Sequence, residues 1–193
     1  MPKTFQRVTA SSQEIASRFA PREEAIPVLA NEADPEVAFE ALVASGQRAE
    51  AARFLAHGLT KPEAVFWGSF CLRDTLPEKP PKEMTQAIRS AESWCLEPKE
   101  SARWRAKDAA DLAGTDTPAG LLALAAFMST GSLAKPDLPV APPPPYLTAD
   151  LAAVAIQIAA EIDPEKAEAR WTAFLEQGRA VARGEYAKVP GTL

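Results

Sequence analysis

The stretch KPEAVFWGSFCLRDTL, residues 61–76, decides the fold class. Between Ala64 and Leu72 it carries no charge, and its large apolar side chains cover nearly the whole circumference of a helix. A helix that is apolar on all sides is buried inside a protein. The stretch therefore predicts the central helix of a helical core, with Gly68 and Ser69 on the thin side where another helix approaches.

Alanine makes up about a fifth of the 193 residues, and the chain contains only 9 glycines. Alanine has the highest intrinsic helix propensity, which favours a body of packed helices. Few clusters of β-branched and aromatic residues are present, so there is little material for a sheet. We predict an all-α protein with one domain spanning 1–193, a compact bundle of eight to nine helices in antiparallel hairpins, with flexible ends at 1–10 and 185–193.

Several helix starts are marked by a proline directly after a capping residue. Proline suits the first turn because its missing N–H would have no partner there, and Asp34-Pro35 and Thr117-Pro118 follow this pattern. Thr60 has a glutamate three residues later, which is capping-box spacing. Glycines near the expected helix ends, where a positive φ is favoured, are Gly46, Gly58, Gly114, Gly131 and Gly184. These signals predict helices near 12–19, 35–45, 47–57, 61–74, 81–95, 98–113, 118–129, 148–162 and 164–184.

The segment AKPDLPVAPPPPYL, residues 134–147, interrupts the helical pattern before the last two helices. Proline fixes φ and lacks a backbone donor, so we expect an extended chain near polyproline II. The segment is either a strap crossing the surface or a semi-rigid spacer, and the strap is favoured because the following helices are too apolar to stand alone. Those helices are predicted to pack on the main body through two apolar stripes: Leu151, Val154, Ile158 and Ile162, and then Ala167, Trp171, Phe174, Gly178 and Val181.

Charge and hydropathy exclude several classes of partner. The net charge of −5 argues against nucleic acid, which would require a basic surface. The longest strongly apolar runs are shorter than the roughly 20 residues of a membrane span, and the N-terminus lacks the features of a secretory signal. Cys71 and Cys95 make no disulfide framework. We therefore predict a cytoplasmic protein without a membrane span.

The sequence offers little for catalysis or metal binding. A catalytic triad needs a histidine at its centre, and the single histidine, His57, is expected at a helix end, where a cationic ring would complement the helix dipole. One histidine and two distant cysteines supply no zinc ligand set, and no glycine-rich phosphate loop is present. We predict no catalytic residue, no metal site and no cofactor. Paired carboxylates leave no sequence signature, so an acid–base enzyme stays open as an alternative.

Four residues are candidates for contact with a partner. Arg103 and Trp104 lie in a basic helical stretch, where the ring is either half buried under arginine stems or an exposed anchor. Tyr146 ends the run PPPPY, whose residues 143–146 match the Pro-Pro-x-Tyr pattern read by WW grooves; alternatively it anchors the strap to its own body. Arg73 follows the buried helix and either meets a carboxylate, binds a partner's anion or caps its own helix.

The stretches FLAHGLTKPEAVFWGSFCLR, ESWCLEP and GSLAKPDLPVAPPPPYLT resemble an uncharacterised family of bacterial all-helical proteins. The shared features are an aromatic-aromatic-x-x-x-Cys-x-Arg helix, here Phe66-Trp67 with Cys71 and Arg73, and the proline-rich strap. The similarity covers most of residues 35–184. It implies an all-helical fold and no transferable activity, and it suggests an accessory or adaptor role beside contractile secretion systems.

Two functions from different classes follow. The first is a non-enzymatic adaptor that binds another protein through Arg103, Trp104, Tyr146 and Arg73. The second is a small-ligand binder or enzyme with a pocket between the strap and helix 61–74, to which Arg73 and nearby carboxylates would contribute polar contacts. Association of the chain with copies of itself stays open in either case.

Overall fold

The computed structural model describes residues 4–134 and 137–185, and within these ranges the chain is all-α. It contains ten α-helices and one 3-10 helix, Glu23–Ala25, and no strand in the described ranges. The helices are α1 (Ser12–Ala16), α2 (Ile26–Asn31), α3 (Pro35–Ala44), α4 (Arg48–Gly58), α5 (Lys61–Arg73), α6 (Lys82–Leu96), α7 (Glu100–Ala113), α8 (Pro118–Phe127), α9 (Leu147–Glu161) and α10 (Ala167–Arg183). No helix in the described part of the chain combines the length and hydropathy needed to cross a bilayer.

The predicted capping residues start the helices as expected. Thr60 forms a complete capping box with Glu63 at the start of α5, and Asp34 and Thr117 accept backbone N–H groups at the starts of α3 and α8. Gly58 lies at the end of a helix as predicted, being the last residue of α4, but its φ is not positive, and it is packed against Val8 and Ile15. The other predicted glycines with positive φ are Gly46, Gly114, Gly131 and Gly184.

The N-terminal region is more structured than the sequence predicts. Phe5 and Val8 belong to the core, and the Arg7 N–H donates to the Ala182 carbonyl oxygen at 2.8 Å, so residues 4–10 are held against α10. The short helix α2 was not predicted either, because six residues are too few to show a helical period. The remainder of the predicted flexible ends, 1–3 and 186–193, lies outside the described residues.

Helix α5 is the central element, as predicted. Its side chains from Ala64 to Leu72 are buried except for the half-buried Phe70, and it packs against α4, α6, α8, α9 and α10. The absence of a side chain at Gly68 allows Leu122 of α8 to pack directly on α5, since a Cβ at this position would lie 2.5 Å from a methyl group of Leu122. The Trp67 indole N–H donates to the Phe174 carbonyl oxygen at 2.8 Å and fastens α10 to the centre.

Helix α9 packs on the main body as predicted, but through a different face. Val154 and Ile162 of the predicted stripe are exposed, and Leu151 and Ile158 are only half buried. Small side chains let the axis of α9 approach α5 and α8 closely, so the alanine-rich face is the one that packs. The buried apolar residues of α9 are Ala149, Ala152, Ala153, Ala155, Ile156, Ala159 and Ala160.

We expect Gly178→Ala to destabilise the fold. A Cβ at Gly178 would lie 2.8 Å from Leu55 and from the ring of Trp67, and overpacking of this kind costs about 1–3 kcal/mol, more than the roughly 1 kcal/mol that alanine gains over glycine in a helix. Urea unfolding measures the free energy of unfolding. Ala173→Ser, an exposed change on the same helix, serves as the control and should stay within about 0.5 kcal/mol of the wild type. A Gly178→Ala protein as stable as the wild type would contradict this packing.

Candidate functional site

A loop between α8 and α9 contains the proline-rich segment and is closed at its base by backbone bonds. The Leu133 N–H donates to the Ala141 carbonyl oxygen at 2.8 Å. The Ser132 hydroxyl oxygen accepts the N–H groups of Ala134 and Ala141, each at 3.1 Å. These bonds hold residues 132–134 close to Ala141.

The predicted strap lying across the surface is not confirmed, because the described part of the segment is mostly exposed to solvent. Within 137–146 only Pro143 is partly buried. Leu138 is 54% exposed, Val140 78% and Tyr146 45%. Since the prolines cannot donate backbone hydrogen bonds to the body of the protein, the segment presents apolar side chains outward. We call residues 137–146 the proline-rich loop.

Arg103 contacts the chain just before this loop, at Ser132, and is only 1% exposed, so its hydrogen-bond partners lie within the protein. Its guanidinium donates to both carboxylate oxygens of Glu100 at 2.6 and 2.8 Å, and to the carbonyl oxygens of Phe127 and Ser132, both at 2.8 Å. The half-buried Trp104 donates its indole N–H to Glu100 at 2.8 Å. The predicted pair Arg103 and Trp104 therefore supports the base of the loop from inside.

The other two candidate residues lie apart from this base. Tyr146 ends the proline-rich loop at the start of α9. Arg73 lies at the opposite end of α5 from Lys61, about 18 Å away at 1.5 Å per residue. Its guanidinium forms a bidentate ion pair with the buried Glu92, with both hydrogen bonds at 2.6 Å. These bonds raise the pKa of Arg73. The carboxylate that the sequence left unidentified for Arg73 is thus Glu92 of α6.

A second cluster lies around His57, which sequence reasoning treated as a residue at a helix end. The His57 side chain has no exposed surface, and its Nε2 lies 3.1 Å from a carboxylate oxygen of Asp150 in α9. The guanidinium of Arg53 donates to the same oxygen at 3.2 Å. The ring of Phe19 stacks on the imidazole with 4.9 Å between centroids, and the ring of Tyr146 lies 6.0 Å away. Ninety-three positions separate His57 from Asp150, so no local pattern signals the pair.

The surroundings of His57 favour the neutral ring over the cation that the sequence suggested for a helix end. Burial lowers the pKa of His57 more than Asp150 raises it, and the positive charges of Arg53 and Arg18 lower it further. With Nε2 donating to Asp150, Nδ1 is left as an acceptor, and it is buried without a partner among the described residues.

Reactive thiols and metal ligands are not assembled in the described ranges. Burial raises the pKa of both Cys71 and Cys95, which keeps the thiols protonated and poorly nucleophilic. Within 4–134 and 137–185 no group of three His, Cys, Asp or Glu side chains is placed to hold a metal ion.

Comparison with known proteins gives one result at the level of the family. A model described as a family of unknown function (DUF6931) matches residues 38–182, which include α5, the proline-rich loop and the His57 cluster except for Phe19. No curated protein and no solved structure matches the chain.

We expect Arg103→Lys to loosen the proline-rich loop. A lysine cannot reproduce the planar set of donors that reaches Glu100 and two carbonyl oxygens at once, and a lost hydrogen bond to a charged group costs about 1.5–3 kcal/mol. Hydrogen exchange at the amides of Leu133 and Ala141 should accelerate at least tenfold. Arg105→Lys, an exposed change on the same helix, should leave both amides unchanged; equal exchange in the two variants would contradict the supporting role of Arg103.

We expect the free energy of unfolding to fall as the pH drops below about 6.5. The pKa of His57 is lowered in the folded state, so in the window between that value and the ordinary 6.5 the unfolded chain binds a proton that the folded chain does not. Each unit of lowering corresponds to about 1.4 kcal/mol. Because His57 is the single histidine, urea unfolding of wild type and His57→Gln between about pH 7.5 and pH 5.5 isolates this effect. A pH dependence that is identical in both proteins would contradict the neutral, buried ring.

Proposed function

The chain belongs to the DUF6931 family, whose function is unknown, and we propose that it is a non-enzymatic adaptor that binds another protein through the proline-rich loop. The observation that carries this proposal is the exposure of Leu138 and Val140 beside a run of prolines. Large aliphatic side chains in solvent are costly unless a partner covers them. Here the two exposed aliphatic side chains belong to the same segment, the proline-rich loop.

The length of the connection supports a functional loop. Helices α8 and α9 are neighbours in the bundle, and neighbouring helices usually need about two to eight connecting residues. Here the connection between them runs from residue 128 to residue 146. Long loops without secondary structure in a compact domain commonly serve binding.

The conformational stiffness of the loop also suits binding. Prolines restrict the chain to extended, polyproline-like conformations before any partner arrives, so little conformational entropy is lost on association. The buried Arg103 holds the base of the loop in place. We infer a partner with an aromatic-lined groove that accepts prolines, with Tyr146 following the run as a contact of partly polar character.

The remaining expectations stay predictions. A cytoplasmic location and a role beside a contractile secretion system rest on the sequence and its resemblance to bacterial relatives. Arg73 forms an ion pair with Glu92, and Arg103 forms one with Glu100. The proposed contacts with the partner are therefore the proline-rich loop and Tyr146, and Trp104 has a supporting role.

Site-specific photo-crosslinking in the cells that produce the protein tests the adaptor role. A photoreactive amino acid replaces Val140 in one variant and Leu112 of α7 in a matched control, where the side chain is 72% exposed and lies outside the proline-rich loop. We expect a discrete heterologous adduct from position 140, reduced at least tenfold by Tyr146→Ala, and none from position 112. An adduct of twice the chain's mass would indicate self-association instead. Equal, diffuse labelling at both positions would contradict the proposal.

A further inference from the structure

A small cavity lies where the end of the proline-rich loop meets the starts of α5 and α9. Its volume is about 190 Å³, room for about six water molecules at roughly 30 Å³ each. This is below the usual 300–1,000 Å³ of drug-sized ligand sites, so any occupant is small. The residues that matter for its chemistry are Arg18, His57, Lys61 and Tyr146, and apolar side chains complete the lining.

Two cations line this cavity, and Glu14, the carboxylate that interacts electrostatically with Arg18, lies outside the lining. Among the described residues no carboxylate lies within salt-bridge distance of Arg18 or Lys61, although most other partly buried arginines are paired. Lys61 donates to the Ser129 carbonyl oxygen and Arg18 to the His57 carbonyl oxygen. Each has further N–H groups to donate. Burial lowers the pKa of Lys61, and no acidic neighbour offsets the effect.

The acidic groups nearby are already neutralised. Asp150 accepts from Arg53 and His57. Glu63 accepts the N–H and the hydroxyl of Thr60 in the capping box, and its other oxygen lies 3.7 Å from Arg7. Neither carboxylate belongs to the lining of the cavity. The lining therefore carries two positive charges and no carboxylate, in a protein whose net charge is −5.

His57 supplies an independent observation, a buried polar atom without a partner among the described residues that belongs to a side chain lining the cavity. Its side chain is fully buried and borders the cavity, and its Nδ1 has no hydrogen-bond partner. Buried polar atoms in native proteins nearly always have a partner, in the protein or in bound solvent or ligand. An acceptor nitrogen beside two cations suits an anion that also carries an O–H group.

We propose that this cavity binds a small oxyanion, the phosphate group or hydroxy-carboxylate of a compact metabolite, held by Lys61 and Arg18 with an O–H donated to Nδ1 of His57. The ring of Tyr146 and the aliphatic lining cover the apolar part of the ligand. The site shares Tyr146 with the proposed partner surface, but anion binding at His57 and crosslinking at Val140 are measured separately, so one proposal can fail without the other. It is the pocket between the loop and α5 that the second sequence hypothesis expects, but at the Lys61 end of α5, and Arg73 takes no part in it.

Titration of the His57 imidazole resonances by NMR tests this site directly, because the chain has one histidine. The full chain is titrated with inorganic phosphate in one series and with glycolate, a carboxylate that carries an O–H group, in another, with chloride keeping the ionic strength constant. We expect a saturable shift with a Kd of about 1 mM or tighter for one of the two. Preference for phosphate would assign a phosphate-bearing ligand, and preference for glycolate a hydroxy-carboxylate. No saturable shift by either anion up to about 10 mM would overturn the proposal.

A matched pair of variants separates the site from general electrostatics. Lys61→Gln removes a cavity cation at a helix start, where a positive charge is unfavourable anyway, so the fold should tolerate it. Lys99→Gln makes the same change in net charge at an exposed lysine that pairs with Glu97. We expect the Kd to rise at least tenfold in Lys61→Gln and to stay within about two-fold in Lys99→Gln. Arg18→Gln should repeat the Lys61 result, and equal affinities in all variants would overturn the proposal.

Discussion

The burial of α5 on every side is the constraint on which the rest of the structure depends. A helix with no solvent face must be surrounded, and here α4, α6, α8, α9 and α10 do so. Gly68 sets the distance to α8, and the bond from Trp67 to the Phe174 carbonyl oxygen sets the position of α10. With α8 and α9 both fixed against α5, the long connection between them has no place in the core. The exposed proline-rich loop is thus a consequence of how the centre is packed.

Ion pairs then link the helices that surround α5. Arg179 pairs with Glu40, Arg183 with Glu36 and Arg48 with Glu168, which joins α10 to α3 and α4. Such pairs near the surface contribute little stability each, about 0–1 kcal/mol, so their effect is mainly on the alignment of the helices. Against these paired arginines, the two cations that line the His57 cavity stand out because neither forms a salt bridge among the described residues. Most of the partly buried arginines form a salt bridge with a carboxylate of the same chain. The side chains of Arg18 and Lys61 instead donate hydrogen bonds to carbonyl oxygens.

The features that sequence predicts well are those encoded within a few residues. The capping box of Thr60 and Glu63, the N-cap at Asp34 and the all-apolar circumference of α5 are local, and the structure contains each of them. Features that depend on distant partners are missed. The helical spacing predicted that Leu151, Val154, Ile158 and Ile162 form the inner face of α9. In the structure the alanine-rich face is the inner one, because its small side chains allow α9 to pack closely on α5 and α8. The pairing of His57 with Asp150, and the carbonyl oxygens that hold Arg103, likewise come from other parts of the chain.

Tyr146 connects the two surfaces for which binding is proposed. It is the last residue of the proline-rich loop, its ring lies 6.0 Å from that of His57, and it lines the oxyanion cavity. A partner that moves the tyrosine ring on binding changes the shape of the cavity, and a ligand that fixes the ring changes the conformations open to the loop. Thermodynamic linkage then requires the two effects to be equal in free energy. The architecture thus gives an adaptor with this loop a physical route by which a small anion would tune its affinity for a partner protein.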